Sequence, residues 1–109
     1  MGKNFEVIYK ILRHLDRYNG DDEISMEVIS ASALGISEAK WEQLLIELQI
    51  NGYIRGLVYT QNLGDAFPHI VEPIRPRISL KGMEYLEENG MMNKVGKFLK
   101  GIKEMTPGL

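Results

Sequence analysis

At 109 residues, with 44% hydrophobic and 26% charged side chains and a net charge of −2, the chain has the make-up of one soluble globular domain, which excludes a disordered protein. Cysteine is absent, which excludes disulfides, thiolate catalysis and cysteine-ligated metal centres. No apolar run approaches the roughly 20 residues that span a bilayer, and the first four residues lead into no signal-peptide apolar core, so a cytoplasmic protein with no membrane partner is expected.

The pI near 5.7 argues against holding nucleic acid by bulk charge, and the distribution of charge says more than the sum. Between Gly20 and Ile36 the only charges are Asp21, Asp22, Glu23 and Glu27. Between Tyr53 and Lys81 the basic Arg55, Arg75, Arg77 and Lys81 outnumber Asp65 and Glu72.

In chain order, Phe5, Ile8, Ile11, Leu12 and Leu15 recur at helical spacing, with Val7 and Tyr18 widening the face, and predict a first amphipathic helix. Asn4 is its expected N-cap, and Asn19-Gly20 its stop. Ile24 is the candidate for a short first strand. Ser25 is expected to cap a second helix holding Val28, Ile29 and Ala33, and Leu34-Gly35-Ile36 reads as a tight turn between helices.

Ser37 should cap the third helix, in which Trp41, Leu44, Leu45 and Leu48 form the strongest periodic stripe in the chain. Gly52 is expected to end it. An extended run then continues from Tyr53 through Tyr59, a long loop from Gln61 to Pro73, and a second strand from Ile74 to Leu80 that Pro76 confines to an edge. Ser79 is the expected cap of a fourth helix closed by Asn89-Gly90. A fifth is predicted from Met91 to Met105, with Val95, Phe98, Leu99 and Ile102 on one arc and Lys94, Lys97, Lys100 and Lys103 on the other.

This order predicts an α+β winged helix-turn-helix with a three-helix core, a two-stranded wing and two C-terminal helices, as a single domain over residues 1–109. Residues 4–36 supply the first two helices, 37–52 the third, recognition-type helix, 53–80 the wing and 80–105 the C-terminal helices.

The combination Asn51-Gly52-Tyr53-Ile54, the run ISLKGMEYLEENG from Ile78 to Gly90, and the lysine-rich segment from Met92 to Lys103 resembles the YjcQ family of small winged-helix proteins. The LKG-x-x-YL core, here Leu80-Lys81-Gly82 and Tyr85-Leu86, is the specific part. The longer wing from Gln61 to Pro73 and the acidic entry from Gly20 to Glu27 depart from that pattern. The resemblance implies a prophage-associated winged helix and leaves its mechanism open.

Catalysis finds little support in the residues, and neither a catalytic site nor a cofactor is expected. His14 and His69 are far apart, no His-Glu-x-x-His arrangement occurs and no glycine-rich phosphate loop follows a strand, so a solvated His14 and a wing-packed His69 are preferred to a metal site. Carboxylate pairs such as Glu87-Glu88 sit in polar runs where nothing would raise a pKa. The chain reads as non-enzymatic.

Two binding functions stand against each other. Transcription-regulator-type recognition of duplex DNA would use Lys40 and Gln43 on the third helix, with Gln49 beside them, and Arg55, Arg75, Arg77 and Lys81 on the wing. Three acids on that helix, Glu38, Glu42 and Glu47, oppose phosphate and shift contact toward the wing. The alternative is a protein partner for the acidic and apolar face made by Ala39, Glu42, Ile46 and Ile50. The apolar arc of the fifth helix is wide enough to pack on the first helix or to pair with its twin in a homodimer.

Overall fold

A computed structural model describes residues 3–90. Helix α1, Lys3–Arg17, buries Val7, Ile11, Leu12 and Leu15 and half-buries Phe5 and Ile8, as its spacing predicts. Tyr18 lies beyond its end and is exposed. Asn4 is not its cap, because Lys3 is already helical. After α1 the chain turns at Asn19-Gly20, and the acidic entry is built of turns in which the Asp21 carboxylate accepts the Glu23 N–H at 2.9 Å. Ile24 forms no strand there. His14 is not left to solvent either, since its Nε2 lies 2.6 Å from the Ser25 carbonyl and its ring leans on Tyr18.

The expected second helix is split. A 3-10 turn, Glu27–Ile29, precedes α2, Ala31–Leu34, because Ser30 interrupts the run: its Oγ accepts the Ala33 N–H at 3.2 Å and restarts the helix. Ser25, the expected cap, serves only the preceding turn, accepting from Glu27 N at 3.3 Å. Gly35, at φ 71°, then closes α2 while Ile36 N–H reaches back to Ala31 O at 3.0 Å.

Helix α3, Glu38–Ile50, starts where expected, with Ser37 Oγ accepting Lys40 N–H at 3.1 Å. It also ends where expected. Gly52 at φ 86° allows its own N–H to bond Gln49 O at 3.0 Å and that of Tyr53 to bond Leu48 O at 2.9 Å, the paired closure of a Schellman motif. Trp41, Leu45 and Leu48 are buried as predicted, whereas Leu44 is only half-buried. The Trp41 indole N–H donates to Ile29 O at 2.7 Å, fixing α3 to the 3-10 turn.

The predicted two-stranded wing is a pair of short antiparallel sheets. β1, Ile54–Arg55, pairs with β4, Arg77–Ile78, placing Ile54 opposite Ile78 and Arg55 opposite Arg77. Within the stretch expected to be loop, β2, Tyr59–Thr60, pairs with β3, His69–Ile70. Pro76 comes just before β4, which has a partner on one side only, as an edge position requires.

Residues 80–90 are helical (α4) and begin after Ser79, whose Oγ accepts Gly82 N–H at 3.1 Å and donates to Gly52 O. Tyr85 brings α4 against the core, edge-on to Tyr53 with ring centres 5.4 Å apart and 6.1 Å from Phe5. Burial, helped by the neighbouring Tyr53 phenol, holds the Tyr85 hydroxyl above its usual pKa. The core runs from Val7 through Leu45 to Ile78, and the architecture is α+β, compatible with a winged helix. The predicted fifth helix, Met91 to Met105, lies outside the described residues.

Candidate functional site

Two surfaces were expected to carry binding, the outer face of α3 and the basic wing, and the fold treats them differently. The outer face of α3 is partly roofed by the β2–β3 hairpin, over Glu42, Gln43 and Ile46. Glu42 places one carboxylate oxygen 2.8 Å from His69 Nδ1 and accepts the Ile70 N–H with the other at 2.9 Å. Gln43 donates to Pro68 O at 2.9 Å, so its amide is engaged in the fold instead of offered to a base edge. Gln49 is engaged on both sides, donating to Leu57 O at 3.0 Å and accepting Leu57 N–H at 2.8 Å.

Ile46, expected on the outer surface, is buried at 2% exposure. The reason is the hairpin itself. Ile46 lies well round the helix from the Trp41–Leu48 stripe, and the hairpin, tied to α3 through Glu42 and Gln43, brings Leu57 and Ile70 into the same buried cluster. What remains open on α3 is Glu38, Ala39, Lys40, Glu47 and Ile50. The alternative protein-binding face keeps Ala39 and Ile50 and loses Glu42 and Ile46.

The basic wing stays open. Arg55 and Arg77 face one another across β1 and β4, and both are exposed while their neighbours Ile54 and Ile78 are buried. Arg75 shares that outward side, because the intervening Pro76 points inward. Gly56 lets β1 run this close: a Cβ there would stand 2.9 Å from Arg75 O. Among the described residues the ion pair is His69–Glu42, and none of the three arginines forms one. Lys81 differs. Its Nζ donates to Asn51 O at 2.9 Å and sits 4.8 Å from the Tyr53 ring centre, where it caps the carbonyl end of α3.

Two of these arginines also line a cleft of about 610 Å³ between the Asn19–Ile24 turn and the Pro73–Arg77 segment, with Asp21, Asp22 and Glu23 on the opposite wall. Among the described residues no three His, Asp or Glu side chains converge as a metal site requires, and no helix is long and apolar enough to cross a membrane.

A family model described as YjcQ protein matches residues 9–105, which takes in α1 from Tyr9 onward, α2, α3, both β pairs and α4. The chain belongs to the YjcQ family. Among curated proteins it is similar to "Uncharacterized protein YjcQ" of Bacillus subtilis (strain 168), 33% identical over 76 residues that cover 70% of this chain and 76% of that protein. No solved structure matches the chain.

Within this YjcQ-family chain, helical and strand periodicity gave no sign of one further surface: Val58, Leu63, Phe67 and Val71 of the hairpin are all exposed. A compositional signal was present. From Gly56 to Ile74 the chain has no lysine or arginine, so the wing is basic at its base and apolar and acidic beyond it.

Proposed function

We propose that this YjcQ-family protein is a non-enzymatic winged-helix domain of transcription-regulator type, phage-linked as the family resemblance implies, that binds duplex DNA through the outer side of the β1–β4 pair. Three helices followed by a β pair and a further helix support the winged-helix reading. The observation that carries the DNA reading is Arg55 opposite Arg77.

Like charges directly opposite on antiparallel strands repel and weaken the pair. Here no ion pair among the described residues engages them, the acids Asp21, Asp22 and Glu23 standing across the cleft, and Arg75 adds a third positive charge on the same side. A row of phosphates supplies the missing counter-charge, and guanidinium forks match phosphate geometry. Contact is then made chiefly to the backbone, with α3 contributing Lys40 at its exposed first turn. Gln43 has no part in base reading while the hairpin is in place.

The test is titration of a mixed-sequence duplex at several salt concentrations. Arg55→Ala, Arg75→Ala and Arg77→Ala should each weaken binding and lower the log–log salt slope by about 0.9 for every phosphate that is no longer neutralised. Lys81→Ala should leave that slope unchanged, since its ammonium serves Asn51. Absence of binding at micromolar protein in low salt would overturn the DNA reading.

A further inference from the structure

The β2–β3 hairpin presents an apolar surface that its own fold does not use. Leu63 is fully exposed, Phe67 is 61% exposed, and Val58 and Val71 lie side by side across the ladder, joined by a 2.7 Å bond from Val71 N–H to Val58 O. The turn keeps its shape by polar means, with Asp65 Oδ2 accepting Asn62 N–H at 2.9 Å and Gln61 donating to Asp65 O at 3.0 Å. Glu42 and Gln43 tie its base to α3. A pre-shaped hairpin with several large apolar groups in water marks an interaction surface. Its charges, Asp65 and Glu72, are both negative.

The complementary partner is therefore both apolar and basic, and the chain encodes such a segment. Between Met91 and Met105, Val95, Phe98, Leu99 and Ile102 repeat at helical spacing with Lys94, Lys97 and Lys100 on the other side. That segment leaves the described chain from residue 90, beside Tyr9 of α1, whereas the hairpin is tied to α3. We propose that the hairpin of one copy receives the 91–105 segment of a second copy, and that the exchange is reciprocal. Reciprocity closes the assembly at two chains, since each copy carries one donor segment and one acceptor hairpin. This surface is distinct from the arginine side and stands whether or not that side binds DNA.

The absence of cysteine makes the pairing testable by site-directed cross-linking in the full chain. Leu63→Cys chains mixed with Phe98→Cys chains should give a mixed covalent dimer on mild oxidation. Sedimentation of the unmodified protein at micromolar concentration should give twice 12.4 kDa. Phe67→Ser, or Leu63→Ser as a second and still more exposed position, should keep the circular dichroism spectrum and raise the dimer dissociation constant about tenfold or more. A wild-type chain sedimenting at 12.4 kDa would overturn the proposal, as would a dimer indifferent to both serine variants. So would a chain carrying both cysteines that closes an internal disulfide in preference to an intermolecular one.

Discussion

The backbone N–H of Ile70 donates to the carboxylate of Glu42 at 2.9 Å, joining positions 28 apart in sequence and fixing the β2–β3 hairpin over α3. The companion contact to His69 adds less, since that ring is 59% exposed and water screens the pair. The Ile70 bond is charge-assisted and partly buried, which makes it the stronger of the two.

Glu42→Ala should therefore loosen the hairpin without unfolding the helices. A loss of about 2 kcal/mol is expected, from an N–H left without its acceptor. Deuterium exchange at Ile70 and Val71 should accelerate, while the α1 amides stay protected. Glu42→Gln, which keeps an acceptor oxygen, should recover part of the protection. Unchanged exchange at Ile70 in the alanine variant would show that apolar packing alone holds the hairpin.

Ile46 and Ile50 lie one turn apart on α3 yet are 2% and 61% exposed. Ile46→Ala should cost about 2–5 kcal/mol, the range for emptying a buried aliphatic site. Ile50→Ala should stay within about 0.5 kcal/mol of the parent. Urea unfolding of the two variants decides this, and equal costs would mean that the hairpin does not cover α3 in solution.

Gly82 reverses an ordinary expectation. Alanine inside a helix normally stabilises by about 1 kcal/mol relative to glycine. At Gly82 a Cβ would collide with the Tyr53 carbonyl oxygen and stand 2.7 Å from Ile78 Cγ1, both of them parts of the β1–β4 junction. Gly82→Ala should lower stability by about 1–3 kcal/mol, as overpacking of a closed site does. Gly90→Ala, whose Cβ would meet only the Tyr9 hydroxyl at 3.3 Å, is the control for helix propensity. A melting temperature raised by Gly82→Ala would contradict the packing described.

The same glycine shows how far the chain was legible. Leu80-Lys81-Gly82 stood out as a motif, and Ser79 as its cap, because caps and periodicity are local rules that act within one turn of helix. Why glycine belongs there depends on Tyr53 and Ile78, which come from other elements. Ser37, Gly35 and Gly52 were likewise readable as boundaries, since each satisfies backbone groups three to five residues away. Ile24, Ser25 and Asn4 were misread for the converse reason. A strand needs a partner strand, and a cap is chosen by competition among nearby serines or by where the helix in fact begins.

The helix order, the Trp41–Leu48 stripe, the excess of arginine on the wing strands and the absence of cysteine chemistry were all written in the sequence, because each follows from residue type and spacing alone. What the tertiary structure decided was exposure. It folded a stretch without lysine or arginine back over α3, spent Glu42, Gln43 and Gln49 on hairpin hydrogen bonds, and buried Ile46. It left Arg55 facing Arg77 in solvent. Which polar groups remain free for a ligand depends on contacts between segments distant in sequence, and helical spacing cannot record what another part of the chain will cover.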